Sequence, residues 1–246
     1  MEPSERTAAG NGMFPTTHWS MIRRAGGEME SEAHAALTAL CGAYWYPLYA
    51  YVRRSGRAVH DAQDLTQSFI LELIDGPLLR RADPDKGRFR SFVLVALRHF
   101  LANDHRRETA ERRGGHTTVV SLDEARDEGR LALETTDGLT PEDHFEQAWA
   151  FALLDGVLVR LRTEYEAAGR DALFAALHPY LAGRKGQGQY AVLSAQFGMS
   201  ENALSASVYR MRRRYGEILR EEIARTVAET GELEEEIAYL MSVVAR

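Results

Sequence analysis

Apolar residues recur at three- and four-residue intervals along most of this chain, and that spacing constrains the fold more than any other feature. One stretch carries Leu65, Phe69 and Leu73 four residues apart. A later stretch keeps the same interval through Phe145, Trp149, Leu153, Val157 and Leu161. Residues at this spacing share one face of an α-helix, and no long run of alternating β-branched residues competes with the pattern. We therefore expect an all-α fold.

The ends of several helices can also be predicted. Thr140-Pro141-Glu142-Asp143 is typical of a helix start, because Thr caps, Pro fits the first turn and acids suit the positive end of the helix dipole. Pro47 should bend or divide the helix that contains it. Further helices are expected over 31–54, 60–74, 88–113, 171–181, 190–197 and 201–228.

The composition changes sharply after Gly115. Between Asp123 and Asp143 stand eight acidic residues against Arg126 and Arg130, with little helical period. This pattern predicts two small helical domains joined by an acidic flexible linker. The expected parts are a disordered tail over 1–12, a first domain over 13–115, the linker over 116–141, a second domain over 142–228 and a C-terminal amphipathic extension over 229–246. The extension either packs on the second domain or makes a regulatory contact.

The charge and the single cysteine narrow the class of protein. The net charge of −6 argues against a generally basic nucleic-acid coat but leaves room for local basic faces. Cys41 stands alone, which rules out an internal disulfide and fits a reducing compartment. No apolar run approaches the roughly 18 residues of a membrane span, and the N-terminus does not resemble a signal peptide. We expect a cytoplasmic protein that does not enter the membrane.

Three segments carry candidate functional side chains. The helix from His60 places Asp61, Asp64, Gln67 and Ser68 beside its apolar stripe, as a face of short polar side chains suited to a basic partner helix. The helix over 88–113 is rich in Arg, with His and Asn among the arginines, which suits phosphates and exposed base edges. The stretch 190–214 predicts a helix-turn-helix, with Gly198 in its turn and a basic run after its second helix.

The order of these segments resembles that of bacterial sigma factors, in particular the small two-domain type called extracytoplasmic-function sigma factors. Asp64-Leu-Thr-Gln67 resembles the segment that grips the clamp helices of the largest polymerase subunit. The Arg-rich helix is similar to the one that reads and melts the −10 element, and the helix-turn-helix is similar to the −35 reader. The resemblance implies core RNA polymerase, through the clamp helices and the flap of the second-largest subunit, and promoter DNA as partners, with a possible anti-sigma or other regulator.

The resemblance also implies a role for each candidate residue. The polymerase contacts would be Asp61, Asp64, Leu65, Gln67 and Ser68. The −10 contacts would be Arg88, Arg90, Arg98, His99, Asn103, Arg106, Arg107, Arg112 and Arg113. The −35 contacts would be Ser200, Glu201, Asn202, Ser205, Ser207, Tyr209, Arg210, Arg213 and Arg214.

Two other classes of protein stay open. A helix-turn-helix regulator could bind DNA without polymerase, but it would not need the Asp64 and Gln67 face. A helical metal-dependent hydrolase would need three or four converging donors, and the segment around His60 offers neither a second His one turn on nor a Cys pair. We predict no catalytic residue, no metal and no cofactor.

Overall fold

The computed structural model describes residues 30–75, 78–110, 127–129, 131, 138–181, 189–224, 226–227 and 230–246. Over these residues the protein is all-α, as predicted, without a strand. The helices are α1 (Glu30–Arg54), α2 (Val59–Asp75), α3 (Leu78–Arg81), α4 (Phe89–Ala110), α5 (Pro141–Ala167), α6 (Asp171–Leu177), α7 (Gln189–Phe197), α8 (Glu201–Ala224) and α9 (Leu233–Val244). Short 3-10 helices cover Pro84–Lys86, His178–Tyr180 and Thr230–Glu232. The expected tail over 1–12, Arg112 and Arg113 lie outside the described residues.

The start of α5 confirms the predicted cap. Thr140 Oγ1 accepts a hydrogen bond from the Asp143 backbone N–H at 3.1 Å, and Asp143 Oδ2 accepts one from the Thr140 N–H at 3.0 Å. Pro141 opens the helix, where its missing N–H costs nothing. Both interactions are local, so the sequence alone could specify them.

α1 is the central helix, and Pro47 does not divide it. Leu48, Tyr49, Ala50 and Val52 are fully buried, so this half of α1 is enclosed on more than one side. It packs against α2 and along α5. A helix that is apolar around its circumference belongs in a core. Packing on both sides therefore keeps α1 continuous although Pro47 cannot donate a backbone hydrogen bond.

One hydrophobic cluster contains helices from both sides of the predicted domain boundary. The Tyr44 ring of α1 lies 5.6 Å from the Phe89 ring of α4 and 6.5 Å from the Phe145 ring of α5, centroid to centroid. Each such aromatic side chain stabilises the fold by about 1.5–3 kcal/mol through burial. The division into two functional domains stays a prediction, but α1, α4 and α5 share a core.

The described part of the acidic segment is bound to α1. Trp45 Nε1 donates to Asp127 Oδ2 at 3.0 Å, and Tyr49 OH donates to Glu128 Oε1 at 2.5 Å. Arg53 grips Glu128 with two N–H groups, at 2.7 Å from Nε and 2.9 Å from Nη2, and these bonds hold the pKa of Glu128 below its usual range. At these residues the acidic segment is held by α1, which supplies donors for their carboxylates, and the flexible linker over 116–141 stays a prediction.

α8 packs against the second half of α5. Arg160 of α5 reaches Glu222 at 2.7 Å, while Glu164, further along α5, accepts from Arg214, earlier in α8, at 2.7 Å. Tyr215 OH donates to the Leu154 carbonyl at 3.2 Å. These contacts fix the helix-turn-helix region on α5.

α9 packs on both α5 and α8. Leu240 and Val243 are fully buried at this contact. Met241 on the same helix is 47% exposed. No helix in the described ranges has the length and apolar content needed to cross a bilayer.

Candidate protein- and DNA-binding surfaces

The polar face of α2 lies on the surface, as its position beside the apolar stripe predicts. Asp61, Gln67 and Ser68 are exposed, and Asp64 is half-buried. Phe69 and Leu73 on the opposite face are buried and anchor the helix. Short carboxylate, amide and hydroxyl groups thus stand on a rigid helix, ready to accept hydrogen bonds from a basic partner.

Two residues change this picture of α2. Leu65, a predicted polymerase contact, is only 9% exposed and belongs to the core, so it supports the surface from below. Leu71 is 51% exposed beside the polar patch, and Glu72 next to it is exposed as well. In the sequence, Leu71 lies off the Leu65–Phe69–Leu73 stripe, and this position predicts that its apolar side chain is exposed and available for contact. We use the name α2 patch for the exposed residues Asp61, Gln67, Ser68 and Leu71 together with the half-buried Asp64.

α4 presents a polar and basic face over its middle turns. The Arg98 side chain is 58% exposed, and its Nη1 lies 3.8 Å from Glu142, too long for a strong ion pair. His99, Asn103 and Arg106 are exposed as well. For Arg107 the structure describes the backbone only. We call the exposed residues Arg98, His99, Asn103 and Arg106 the α4 face.

A cleft of about 150 Å³ opens beside the α4 face. It lies among α2, α3 and α4, and it is lined by Glu72, Leu78, Ala96, His99, Phe100, Asn103 and Asp104. Phe100 packs on Phe69, with ring centroids 5.6 Å apart, which fixes the floor. The aromatic ring can stack on a flat heterocycle, and the carboxylate, imidazole and amide groups can form hydrogen bonds with it.

Arg88 and Arg90 do not lie on this exposed face, and their role as −10 contacts stays a prediction. Arg90 is 6% exposed, and its Nε lies 2.9 Å from Glu146 of α5. Arg88 Nε lies 2.9 Å from Glu236 of α9, whose other carboxylate oxygen pairs with Arg90. These four residues form the Glu236 cluster. The sequence could not reveal it, because Glu236 is 146 residues from Arg90.

Aromatic rings enclose the Arg90 guanidinium within this cluster. Its central carbon lies 4.4 Å from the Trp149 ring centroid and 4.9 Å from that of Tyr239. Burial raises the pKa of Glu146, although Arg90 pulls in the opposite direction. The cluster therefore contains two guanidiniums and two carboxylates in a largely desolvated site, where their mutual pairing is needed to offset lost hydration.

The helix-turn-helix has the geometry expected from its sequence. Gly198 adopts φ +62° between α7 and α8, a conformation that favours glycine. Ser200 Oγ accepts from the Ala203 N–H at 3.2 Å and so caps α8. Leu204 and Val208 are buried and hold α8 in place. These local features confirm the predicted turn and cap.

The outward face of α8 displays most of its predicted DNA contacts. The exposed members are Glu201, Asn202, Ser205, Tyr209, Arg210 and Arg213. Tyr209 is 68% exposed, and the Arg213 side chain is 71% exposed although its Nε lies 3.0 Å from Glu217. They lie on α8 between Glu201 and Arg213, ahead of Arg214, which pairs with Glu164 of α5.

Two predicted −35 contacts are engaged inside the protein. Ser207 is 5% exposed, and its hydroxyl donates to the Ala203 carbonyl at 2.8 Å while accepting from Arg210 Nη2 at 3.0 Å. Arg214 binds Glu164 at 2.7 and 2.8 Å, and this pairing holds the pKa of Arg214 above its ordinary value. Arg214 therefore holds α8 on α5, while Ser207 is buried with its hydrogen bonds inside α8.

A larger apolar groove of about 600 Å³ lies between α5 and α8. It is lined by Leu154, Asp155, Leu158, His178, Pro179, Leu181, Arg212 and Tyr215. Its walls include the carbonyl of Leu154, held by Tyr215 OH. The groove could accommodate apolar side chains of another chain.

Comparison of the chain with protein-family models, with curated proteins and with solved structures finds no match. Within the described ranges, His, Cys, Asp and Glu side chains form no group of three or more that could hold a metal ion.

Proposed function

We propose that this protein is a sigma factor, which binds core RNA polymerase in the cytoplasm and directs it to promoters with −10 and −35 elements. The observation that carries the proposal is the combination of the α2 patch with the α4 face on neighbouring helices of one core. The α2 patch offers acceptors to a protein partner, and the α4 face offers donors and cations to a nucleic acid. A factor that must hold polymerase and DNA together needs both surfaces.

The cleft beside the α4 face supports a role in promoter opening. A base that leaves the DNA stack costs a few kcal/mol, and a protein offsets this cost by stacking and edge hydrogen bonds. Phe100 offers a ring to the cleft, and Glu72, His99 and Asn103 offer polar groups. We assign the cleft to capture of an unstacked base of the −10 element.

The exposed first half of α8 supports recognition of the −35 element. In a helix-turn-helix, side chains near the start of the second helix meet base edges in the major groove. Asn202 and Ser205 are exposed there, and the exposed guanidinium groups of Arg210 and Arg213 can bind DNA phosphates. The groove between α5 and α8 offers an apolar site for the expected contact with the flap of the polymerase.

A helix-turn-helix regulator that acts without polymerase is the second candidate. Only the helix-turn-helix and its exposed face favour this candidate. This candidate does not explain the α2 patch. A protein that binds only DNA does not need a second helix with hydrogen-bond acceptors and an exposed Leu71. Core binding therefore separates the two proposals.

The decisive experiment is a pull-down of the full chain by purified core polymerase, followed by run-off transcription on a pool of genomic promoters. Asp64→Ala with Gln67→Ala should lower core affinity at least several-fold, because the exposed patch loses an acceptor and a two-way hydrogen bonder. The circular dichroism spectrum and the unfolding midpoint should stay near those of the parent.

The matched control is Asp171→Ala with Gln196→Ala, an exposed acid and an exposed amide far from the α2 patch. This pair should leave core binding unchanged. If the α2 variant binds core as well as its control does, the α2 patch does not seat on polymerase. If the parent neither binds core nor starts transcription, the regulator proposal replaces this one.

A further inference from the structure

We propose that Arg88 and Arg90 form a phosphate-binding site that Glu236 of the chain's own C-terminal helix occupies, so that α9 and a nucleic-acid backbone compete for it. The inference deepens the proposed function: it rests on that function for the identity of the nucleic acid as promoter DNA. Occupancy by Glu236 would keep part of the DNA surface closed until α9 is displaced.

The donors of the site suit phosphate as well as they suit carboxylate. Guanidinium groups bind both oxyanions through paired N–H donors. Glu236 uses one oxygen for Arg88 Nε, at 2.9 Å, and both oxygens for Arg90. Arg88 Nη1 is buried and has no hydrogen-bond partner. A phosphate, with more acceptor oxygens than a carboxylate, could also satisfy this remaining donor.

The two occupants cannot be present together. The space left among Arg88, Phe89, Arg90 and the neighbouring side chains amounts to about 10 Å³. A cavity of this size is at the lower limit for a single water molecule. A phosphate can therefore enter only after the Glu236 carboxylate has left.

The structure of α9 is suited to such displacement. The helix has 12 residues, too few to be stable on its own in water. Its helical structure therefore depends on its packing against α5 and α8, and it is lost when that packing is lost. Its first turn carries Glu234 and Glu235 besides Glu236. This run of carboxylates resembles a nucleic-acid backbone in charge. A buried ion pair adds little net stability, because desolvation opposes the attraction, so exchange of one oxyanion for another is feasible.

The site lies at the start of the helix that carries the α4 face. Arg90 precedes Arg98 by eight residues on the same helix, a rise of about 12 Å. That distance corresponds to roughly three to four nucleotides at 3.4 Å each. A strand that lies along the α4 face would therefore bring a further phosphate to Arg88 and Arg90 once α9 has moved.

The test is binding of a fluorescein-labelled single-stranded oligodeoxynucleotide of mixed sequence to the full chain, followed by anisotropy at several salt concentrations. Glu236→Gln should bind more tightly and with a steeper salt dependence, by about 1.4 in slope, since Arg88 and Arg90 without Glu236 can neutralise two phosphates at about 0.7 each on a single strand. Leu240→Ala, which loosens α9 without a change in charge, should also tighten binding.

The control Glu235→Gln makes the same change in net charge at an exposed neighbour. It should produce only a small gain. The inference is overturned if Glu236→Gln behaves like Glu235→Gln, or if its gain persists when Arg88 and Arg90 are both Gln.

Hydrogen exchange of the unmodified chain provides a measurement that needs no variant to fold. Saturating oligonucleotide should raise the exchange of the backbone amides of α9, and unchanged exchange there would reject competition. None of these measurements uses polymerase. If α9 and the oligonucleotide compete but the chain does not bind core polymerase, only the proposed sigma function is rejected. If the chain binds core polymerase but α9 and the oligonucleotide do not compete, only this inference is rejected.

Discussion

The Glu236 cluster makes a sharp prediction about stability. Arg90→Met keeps an apolar stem of similar length between Trp149 and Tyr239 but removes the guanidinium that pairs with Glu146 and Glu236. Removal of one partner from a buried ion pair costs about 3–5 kcal/mol, because a buried charge is left uncompensated. We expect Arg90→Met to lower the free energy of unfolding by that amount at pH 8.

The loss should depend on pH in a defined direction. Burial already raises the pKa of Glu146, and without Arg90 this pKa rises further. A carboxyl whose pKa is higher in the folded than in the unfolded state binds more protons when folded, so its protonation favours folding as the pH falls. The deficit of Arg90→Met relative to the parent should therefore be smaller at pH 5 than at pH 8.

Urea unfolding followed by circular dichroism at both pH values measures this deficit. Arg98→Met is the matched control, because Arg98 is 58% exposed and lies 3.8 Å from its carboxylate; its cost should be about 0–1 kcal/mol. A cost for Arg90→Met equal to that of Arg98→Met, or a deficit independent of pH, would refute the reasoning about the cluster.

Two further predictions concern the acidic segment and α8. Glu128→Gln should cost about 1 kcal/mol at pH 7, and this cost should shrink as the pH falls through the folded-state pKa of Glu128, which Arg53 holds below its usual range. A cost in urea unfolding that stays constant as the pH is lowered would contradict this. Arg210→Gln should weaken promoter binding about equally for all sequences and reduce its salt slope by roughly one, whereas Asn202→Ala should alter the −35 preference. Selection of binding sites from a random pool distinguishes the two, and an unaltered consensus with Asn202→Ala would remove that residue from base recognition.

The α2 patch and the exposed first half of α8 were largely predictable. Their residues are placed by helix periodicity, which puts Gln67 and Ser68 opposite the stripe of Phe69 and Leu73. The same reasoning erred at Ser207, which turned inward at the edge of its face, whereas Leu65, a polymerase contact only by the resemblance, lies in the buried stripe that its spacing predicts. Periodicity gives the angle of a residue around its helix, but the neighbouring helices decide how wide the buried face becomes.

By itself, the sequence determined the all-α class, the cap at Thr140 and the turn at Gly198, because each depends on residues within a few positions of one another. Only the tertiary structure decided which charges stay available: it buries Arg90 beside Glu236, pairs Arg214 with Glu164 and attaches Glu128 to Arg53. An arginine has the same formal charge wherever it stands, but its availability to a ligand depends on which distant carboxylate the packing brings within reach. Long-range packing of α5 and α9, not local pattern, therefore sets the extent of the basic surfaces of this protein.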